Sequence, residues 1–224
     1  MTAPRGADAP PAIVVVTAVK ALDAAKSRFA APGAHHREAV PGLVLAMLRD
    51  VLDAALATPG IVAAYVVSPD PDVRAAAERA GARTVAEPSP GGLNAALSAG
   101  AAAARAAGAI AVLALQPDLP GVTVDQLTAF LDATVGRRAF VPDHAGTGTA
   151  ALFSPADDEL RPAFGPDSAA AHAAGGAVPL AGPWPGLRTD IDTPADLSAG
   201  PALGPHTTAA IAARDHGIAS NSRG

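Results

Sequence analysis

Short apolar runs alternate along this chain with longer segments whose apolar residues recur at helical spacing. The apolar runs have no polar face, which is typical of strands buried on both sides of a parallel sheet. They predict strands over residues 12–19, 61–67, 83–86, 109–115 and 139–141. The periodic segments predict helices over residues 38–57, 70–80, 93–107 and 124–135. Strands that alternate with helices predict an α/β fold with a mainly parallel, doubly wound sheet.

The pattern changes after residue 143, where the elements become shorter. Further strands are expected over residues 149–153, 177–180 and 187–191, and helices over residues 167–174 and from Pro194 onward. Residues 1–11 are rich in Ala, Pro and Gly and are expected to be disordered, whereas residues 200–224 are polar and aperiodic and predict a loosely ordered tail. Residues 12–200 are therefore expected to form a single domain.

Composition narrows the function classes. The net charge of −5 gives no basic surface for nucleic acid or anionic membranes. The absence of cysteine excludes disulfides, thiolate nucleophiles and Cys-ligated metals. No apolar run approaches the 18 residues of a spanning helix, and the N-terminal segment lacks the pattern of a signal peptide. These features predict a cytoplasmic protein.

Cations follow the first predicted strand. Lys20, Lys26 and Arg28 lie within nine residues, and together they would suit a triphosphate and the charge that develops on departing pyrophosphate. The alternative is a solvated charged loop. Neither a GxGxxG nor a GxxxxGK[ST] motif is present, which argues against a dinucleotide fold and a P-loop kinase.

A rigid, glycine-containing loop over residues 88–94 precedes the third predicted helix. Pro88, Gly92 and Asn94 make it a candidate nucleotide-binding segment, because free backbone N–H groups and an amide can meet a base edge or a phosphate. The alternative is a strand-to-helix connection in which Asn94 caps the helix.

Acidic residues follow predicted strands at two places. Asp118 lies between two prolines directly after a buried strand, and its hard oxygens would suit Mg²⁺ bound to phosphates. Asp190 and Asp192 share a face if the strand over residues 187–191 continues that far, and either or both could complete the metal site. The alternatives are a turn-forming or helix-capping role for Asp118 and capping of the helix at Pro194 by Asp192 or Thr193.

Two further loops, over residues 146–149 and 164–168, combine glycines with hydroxyl side chains. Such loops suit a phosphate or a carboxylate. Taken alone, however, the first loop is better explained as a hairpin turn and the second as the start of a capped helix. The six histidines show no metal-binding spacing, and we interpret them as surface residues. No GxSxG or Ser/His/Asp arrangement is evident.

The order of these motifs over roughly residues 12–200 resembles the 2-phospholactate/phosphoenolpyruvate guanylyltransferase family of deazaflavin coenzyme F-420 biosynthesis. The similarity is greatest to the actinobacterial branch, whose members are taken to use phosphoenolpyruvate. The segments that carry the resemblance are Lys20 to Arg28, GLNAAL at 92–97, QPDLP at 116–120, GTGT at 146–149, FGPDS at 164–168 and DIDTPADL at 190–197.

The resemblance implies a Rossmann-like fold of the nucleotide-diphospho-sugar transferase type, with GTP as donor and a small phosphorylated carboxylic acid as acceptor. It implies Mg²⁺ as cofactor, held by Asp118 and Asp190 with Asp192 as a close alternative. It also implies roles for the remaining candidates: Thr149, Gly165 and Ser168 with the acceptor, Lys20, Lys26 and Arg28 with the triphosphate, and Pro88, Gly92 and Asn94 with the guanosine.

Several alternatives stay open at this point. The acceptor is left open between phosphoenolpyruvate, 2-phospholactate and 3-phosphoglycerate. Another small-acceptor nucleotidyltransferase or a non-catalytic nucleotide-binding module would share many of the same sequence features. Enzymes that attach guanylate to the molybdenum cofactor usually carry a glycine-rich loop where this chain has Thr17 to Lys20, which disfavours that activity. A homodimer is one option for the oligomeric state.

Overall fold

The computed structural model describes residues 12–23, 40–193 and 195–221. The strands are β1 Ile13–Ala18, β2 Ile61–Val67, β3 Arg83–Val85, β4 Ala111–Leu115, β5 Ala139–Pro142, β6 Thr149–Ser154 and β7 Val178–Pro179. The helices are α1 Val40–Ala57, α2 Pro71–Arg79, α3 Leu93–Ala106, α4 Val124–Thr134, α5 Ser168–Ala174, α6 Pro185–Arg188, α7 Asp196–Ala199 and α8 Pro205–Asn221. None of these helices is long and apolar enough to cross a membrane.

The seven strands form one sheet in the order β3-β2-β1-β4-β6-β5-β7. Strand β1 pairs in parallel with β2 and β4, β2 with β3, and β5 with β7. Strand β6 is antiparallel to both of its neighbours, β4 and β5. The mainly parallel α/β sheet predicted from the sequence is therefore confirmed, with β6 as its reversed member.

Alternate residues of the central strands pack into two separate hydrophobic cores, one on each face of the sheet. On one face, Ile13 and Val15 of β1 pack in the cluster that holds Leu48 and Leu52 of α1. On the other face, Val14 and Val16 pack in the cluster that includes Leu97 of α3. The side chains of β1 alternate between the two because strand residues point to opposite faces, which explains why the strand has no polar side.

Helix α3 approaches the sheet closely at Gly100. A Cβ atom at this position would lie 2.5 Å from Cγ1 of Val16 and 2.8 Å from Cγ2 of Val67, which real Cβ atoms do not tolerate. The alanine-rich face of α3 and this glycine therefore let the helix lie directly on β1 and β2. The close packing fixes the start of α3 relative to the strand ends.

The strand predicted over residues 187–191 is wrong. Residues 185–188 form the short helix α6, begun by Pro185, and the chain then continues without regular structure past Asp190. Gln126 of α4 accepts a hydrogen bond from the backbone N–H of Leu187 through Oε1, 2.9 Å away. The N–H of Ile191 donates to the carbonyl of Asp118 at 2.9 Å, so a single backbone contact replaces the expected strand pairing.

The loosely ordered tail predicted after residue 200 is also wrong, because residues 205–221 form helix α8. Its first turn is capped from another helix: the buried carboxylate of Asp50 in α1 accepts from the backbone N–H groups of His206 and Thr207, at 3.0 and 2.8 Å. Ile211 packs with Leu43 and other apolar residues of α1. The predicted disordered segment 1–11 lies outside the described residues.

The contact between α6 and the loop after β4 leads to a prediction. A Cβ at Gly186 would lie only 1.7 Å from the backbone oxygen of Gly121, so the backbone itself would have to move. We expect Gly186→Ala to lower the free energy of unfolding by about 1–3 kcal/mol, as overpacking does, in urea denaturation.

Gly42 of α1 provides the matched control, since a Cβ there meets no atom within 4 Å. We expect Gly42→Ala to stabilise the protein by about 0.5–1 kcal/mol, because alanine loses less backbone freedom in a helix. Equal effects of the two substitutions would contradict the close contact.

Candidate active site

A cleft of about 650 Å³ opens at the edge of the sheet where β1, β4 and β5 end. Strand β6 begins at the same edge because it runs in the opposite direction. The segment after α6 and the loop before α5 complete the walls. The side chains with reactive or charged groups that line the cleft are Lys20, Gln116, Asp118, Asp143, Thr149, Ser168, Asp190 and Asp192.

Three predicted metal ligands, Asp118, Asp190 and Asp192, line this one cleft. Asp118 is half-buried and follows β4 through the rigid Gln116–Pro117 step, while the bond from the Ile191 N–H to its carbonyl brings Asp190 and Asp192 alongside. As they stand, no three acidic or histidine side chains among the described residues are arranged to enclose a metal ion. The carboxylates therefore lie near one another without forming a complete set of protein ligands around one ion.

The pKa of Asp190 is raised above its ordinary value. Burial is the largest cause, and the nearby charges of Asp192 and Asp143 add to it, while His144, whose Nδ1 lies 3.8 Å from Oδ1 of Asp190, acts in the opposite direction. Burial and like charges both disfavour the ionised carboxylate. A cation between these groups would relieve the same repulsion, so the donor set fits a hard divalent ion.

Asp196 shapes the turn that carries Asp192. Its Oδ2 accepts from the backbone N–H groups of Asp192 and Thr193, at 3.1 and 2.7 Å, and from the Thr193 hydroxyl at 2.8 Å. The residue in the N-cap position of α7 is Ala195. The alternative in which Asp192 or Thr193 caps this helix is therefore wrong.

The glycine-containing loop before β6 is the turn of a β-hairpin and also a wall of the cleft, so the two interpretations of residues 146–149 coexist. Oδ1 of Asp143 accepts from the N–H of Thr147 at 3.1 Å, which holds the turn. Arg188 of α6 donates to the carbonyls of Pro142 and Asp143, at 3.1 and 2.9 Å. The hairpin is thus tied to the segment that carries Asp190.

The loop over residues 163–168 is held at both ends. Asn94 of α3 makes two bonds to the Phe164 backbone: its Oδ1 accepts from the N–H at 2.8 Å and its Nδ2 donates to the carbonyl at 3.0 Å. At the other end, the N–H of Ser168 donates to the Gly165 carbonyl at 3.2 Å. These bonds hold the loop in the position where Gly165 and Ser168 line the cleft.

His172 is buried behind this wall, contrary to the expectation of surface histidines. It is 3% exposed and packs against the rings of Phe140 and Phe164. Its Nδ1 lies 2.9 Å from Oγ1 of Thr149, and its Nε2 accepts from the N–H of Ala163 at 2.9 Å. Burial lowers the pKa of His172, and the charge of Arg138 lowers it further.

The structure brings together only some of the predicted residues. Lys20, Asp118, Thr149, Gly165, Ser168, Asp190 and Asp192 share the cleft. Lys26 and Arg28 lie outside the described residues. Leu93 is the residue of the loop 88–94 that lines the cleft, whereas the amide of Asn94 is engaged with Phe164. The nucleotide-binding role of Pro88, Gly92 and Asn94 stays a prediction.

Two residues of the site were missed by the sequence analysis. Asp143 follows β5 just as Asp118 follows β4, so the rule that ligands bind at the carboxyl ends of parallel strands could have identified it. His172 carries no such signal, because its burial depends on aromatic residues from other parts of the chain.

The fold and the acidic cleft fit a nucleotidyltransferase. The family profile of MobA-like NTP transferase domains matches residues 44–177. Similar solved structures include a protein assigned as a nucleotide-diphospho-sugar transferase from Desulfovibrio desulfuricans G20 (TM-score 0.61, 14% identity, 84% of this chain and 85% of that one). Another is a 4-diphosphocytidyl-2C-methyl-D-erythritol synthase (TM-score 0.57, 12% identity, 85% and 97%). At these identities the likeness establishes the fold.

Similarity over nearly the whole chain identifies the family. A phosphoenolpyruvate guanylyltransferase of Nocardia farcinica is 49% identical over 93% of this chain and 93% of its own length. One from Rhodococcus erythropolis is 47% identical over 81% of this chain and 87% of its own length. The chain belongs to the phosphoenolpyruvate guanylyltransferase family.

The raised pKa of Asp190 predicts that its ionised carboxylate lowers the stability of the fold at neutral pH. A carboxyl with a higher pKa in the folded chain favours folding at low pH, and this contribution is lost as pH rises from the ordinary value of 3.8 through the raised value. At neutral pH the ionised carboxylate therefore opposes folding. We expect Asp190→Asn to raise the Tm of the protein in EDTA at neutral pH, with a smaller gain at acid pH.

Asp157 provides the control, because it is exposed on the loop after β6, at the other end of that strand from the cleft. We expect Asp157→Asn to leave the Tm nearly unchanged at both pH values. If the Tm of Asp190→Asn falls at neutral pH, the ionised carboxylate of Asp190 does not destabilise the folded protein.

Proposed function

We propose that this chain transfers GMP from GTP to phosphoenolpyruvate, giving enolpyruvoyl-2-diphospho-5'-guanosine and pyrophosphate. The observation that carries the proposal is that one cleft is lined both by the carboxylates Asp118, Asp190 and Asp192 and by the small-residue loops that contain Thr149 and Gly165. The first group suits metal-bound phosphates, and the second suits a compact anion. The names of the relatives supply the identity of donor and acceptor.

The charge balance of the cleft supports Mg²⁺ as cofactor. Four carboxylates and one lysine, Lys20, line it among the described residues. Two polyanionic substrates would not bind to such a surface without added positive charge. Mg²⁺ in proteins commonly uses one or two carboxylates together with substrate phosphates, which fits the incomplete set of protein ligands found here. Asp118 and Asp190 would hold the ion, with Asp192 as the alternative to either.

In the proposed reaction, an oxygen of the acceptor phosphate attacks the α-phosphorus of GTP in line with the departing pyrophosphate. The bond from the α-phosphorus to the β-phosphate bridging oxygen breaks as the new P–O bond forms. A phosphate monoester is already a nucleophile at neutral pH, so the chain need not supply a general base. Bound Mg²⁺ would supply charge neutralisation between the phosphates of the two substrates.

The residues of the chain contribute position and charge to this reaction. Lys20, exposed at the end of β1, would contact the triphosphate, and Lys26 and Arg28 would join it from the following segment. Thr149, Gly165 and Ser168, which line the same cleft, would contact the phosphate and carboxylate of the acceptor. The two sets of residues together would bring the nucleophilic oxygen to the α-phosphorus.

The setting of this activity is a further part of the proposal. We place the reaction in the biosynthesis of the deazaflavin coenzyme F-420, on the basis of the motif order along the chain. A cytoplasmic location would give access to GTP and phosphoenolpyruvate. A homodimer stays a prediction that sedimentation analysis of the purified protein can test.

The direct test incubates purified protein with GTP, Mg²⁺ and one phospho-acid at a time, following pyrophosphate release and product mass. We expect turnover with phosphoenolpyruvate to exceed that with 2-phospholactate and 3-phosphoglycerate. Preference for either of these would reassign the acceptor, and pyrophosphate release only with a sugar 1-phosphate would reject this class of acceptor. Binding of GTP without turnover of any acceptor would indicate a non-catalytic module.

Asp118→Asn tests the metal assignment within this function. The substitution keeps the shape of the side chain but removes a charged oxygen ligand, so we expect turnover to fall by at least about 100-fold, as for the loss of a group that stabilises transition-state charge. Asp157→Asn, remote from the cleft, should retain normal turnover. Near-normal activity of a folded Asp118→Asn protein would reject Asp118 as a ligand.

A further inference from the structure

The buried ring of His172 connects two parts of the cleft wall that come from different elements. Nδ1 lies 2.9 Å from Oγ1 of Thr149 at the start of β6, and Nε2 lies 2.9 Å from the backbone nitrogen of Ala163. The ring also lies one helical turn after Ser168 in α5. His172 therefore connects three segments: the start of β6 with Thr149, the loop that contains Gly165, and the helix that begins at Ser168. Each of these segments holds one residue that is assigned to the acceptor.

The hydrogen bond from Ala163 determines where the ring carries its proton. A backbone N–H can only donate, so Nε2 must offer its lone pair and cannot be protonated. A neutral imidazole carries one proton, which must then be on Nδ1. With that proton in place, Nδ1 has no lone pair for the Thr149 hydroxyl, and Oγ1 is the acceptor in this contact.

This arrangement directs the hydroxyl of Thr149. Because Oγ1 accepts from Nδ1–H, its own proton must point away from the ring. Among the described residues, His172 is the only partner found for Oγ1, and Thr149 lines the cleft. The hydroxyl proton thus remains available to an anion in the cleft.

The surroundings keep the ring neutral. It packs between Phe140 of β5 and Phe164, and the charged groups nearby are Arg138, which is itself buried and paired with Asp158, and Arg161. Burial and the charge of Arg138 lower the pKa of His172, although a bond to the Ser168 backbone opposes them. A protonated ring would also place an N–H on Nε2 against the N–H of Ala163.

We infer that His172 is a positioning residue for the acceptor: its Nδ1–H tautomer ties Thr149 to the loop over residues 163–168 and leaves the Thr149 hydroxyl as a donor to the bound phospho-acid. The inference rests on the proposed function for the identity of that ligand. His172 itself does not line the cleft, so it acts through Thr149 and the loop.

The kinetic test uses His172→Phe, which keeps an aromatic ring between Phe140 and Phe164 but removes both hydrogen bonds. We expect the KM for phosphoenolpyruvate to rise roughly 10-fold, the loss typical of one hydrogen bond to a charged group, with the KM for GTP within about 2-fold. His172→Asn, whose amide nitrogen can take the place of Nδ1, should recover part of the loss. His206→Gln, an exposed control, should change neither KM.

A double-variant cycle separates positioning from a general structural role. If His172 acts through the Thr149 hydroxyl, His172→Phe should add little to the KM for phosphoenolpyruvate once Thr149→Val is present. Effects that multiply, or a KM for GTP that rises equally, would overturn the inference. A matching Tm series on the same variants shows whether folding alone accounts for the losses.

The tautomer can be measured on the free protein, independently of any substrate. In long-range ¹H–¹⁵N spectra at neutral pH, we expect Nδ1 of His172 to resonate as a protonated nitrogen and Nε2 as an unprotonated one. A proton on Nε2, or a charged ring, would overturn the inference even if the enzyme is active. Absence of turnover with every phospho-acid would instead overturn the proposed function and the acceptor role, while leaving the tautomer result intact.

Discussion

The site depends on a place where backbone lies directly against backbone. Gly186 at the start of α6 packs against Gly121, and neither position has room for a side chain. Five residues later, the N–H of Ile191 reaches the carbonyl of Asp118. This contact joins two segments that are far apart in the sequence, and through it Asp190 and Asp192 come beside the carboxylate that follows β4. Without it, the carboxylates would belong to separate loops.

The same contact explains the electrostatic character of the cleft. Burial at this partly buried surface is the largest cause of the raised pKa of Asp190, and repulsion from the carboxylates of Asp192 and Asp143 adds to it. Two kinds of favourable interaction offset this repulsion: the apolar clusters on both faces of the sheet, and the hydrogen bonds that Arg188 makes to the hairpin before β6. Natural proteins commonly retain such destabilised groups where activity requires them.

Some of this architecture could be read from the sequence because the physical signal is local. The strand over residues 61–67 was predicted with its observed bounds, since an uninterrupted apolar run between turn residues is typical of a buried strand. Asp118 was found because it directly follows such a run. The position of a carboxylate at a strand end is a local property, and so is its nearness to ligands in this class of fold.

Other features could not be predicted because they depend on distant partners. Leu187 and Ile191 are apolar and buried, as strand residues would be, but Leu187 lies in a helix and Ile191 in a loop. Their backbone N–H groups bond to Gln126 and Asp118, which are far away in the sequence. Helix α8 has weak amphipathic character, and its capping group, Asp50, belongs to α1. Asn94 had the right residue type for a ligand-binding amide, yet both of its polar atoms are engaged by the Phe164 backbone.

The reversed direction of β6 has a consequence for how such an enzyme can diversify. A parallel strand at this place would begin at the far edge of the sheet and would need a long crossover to return. The hairpin instead places Asp143 and Thr149 in the cleft within a few residues. Insertions or substitutions in this turn can therefore reshape the part of the cleft that is proposed to hold the acceptor, while the parallel half of the sheet, β1 to β4, stays as it is.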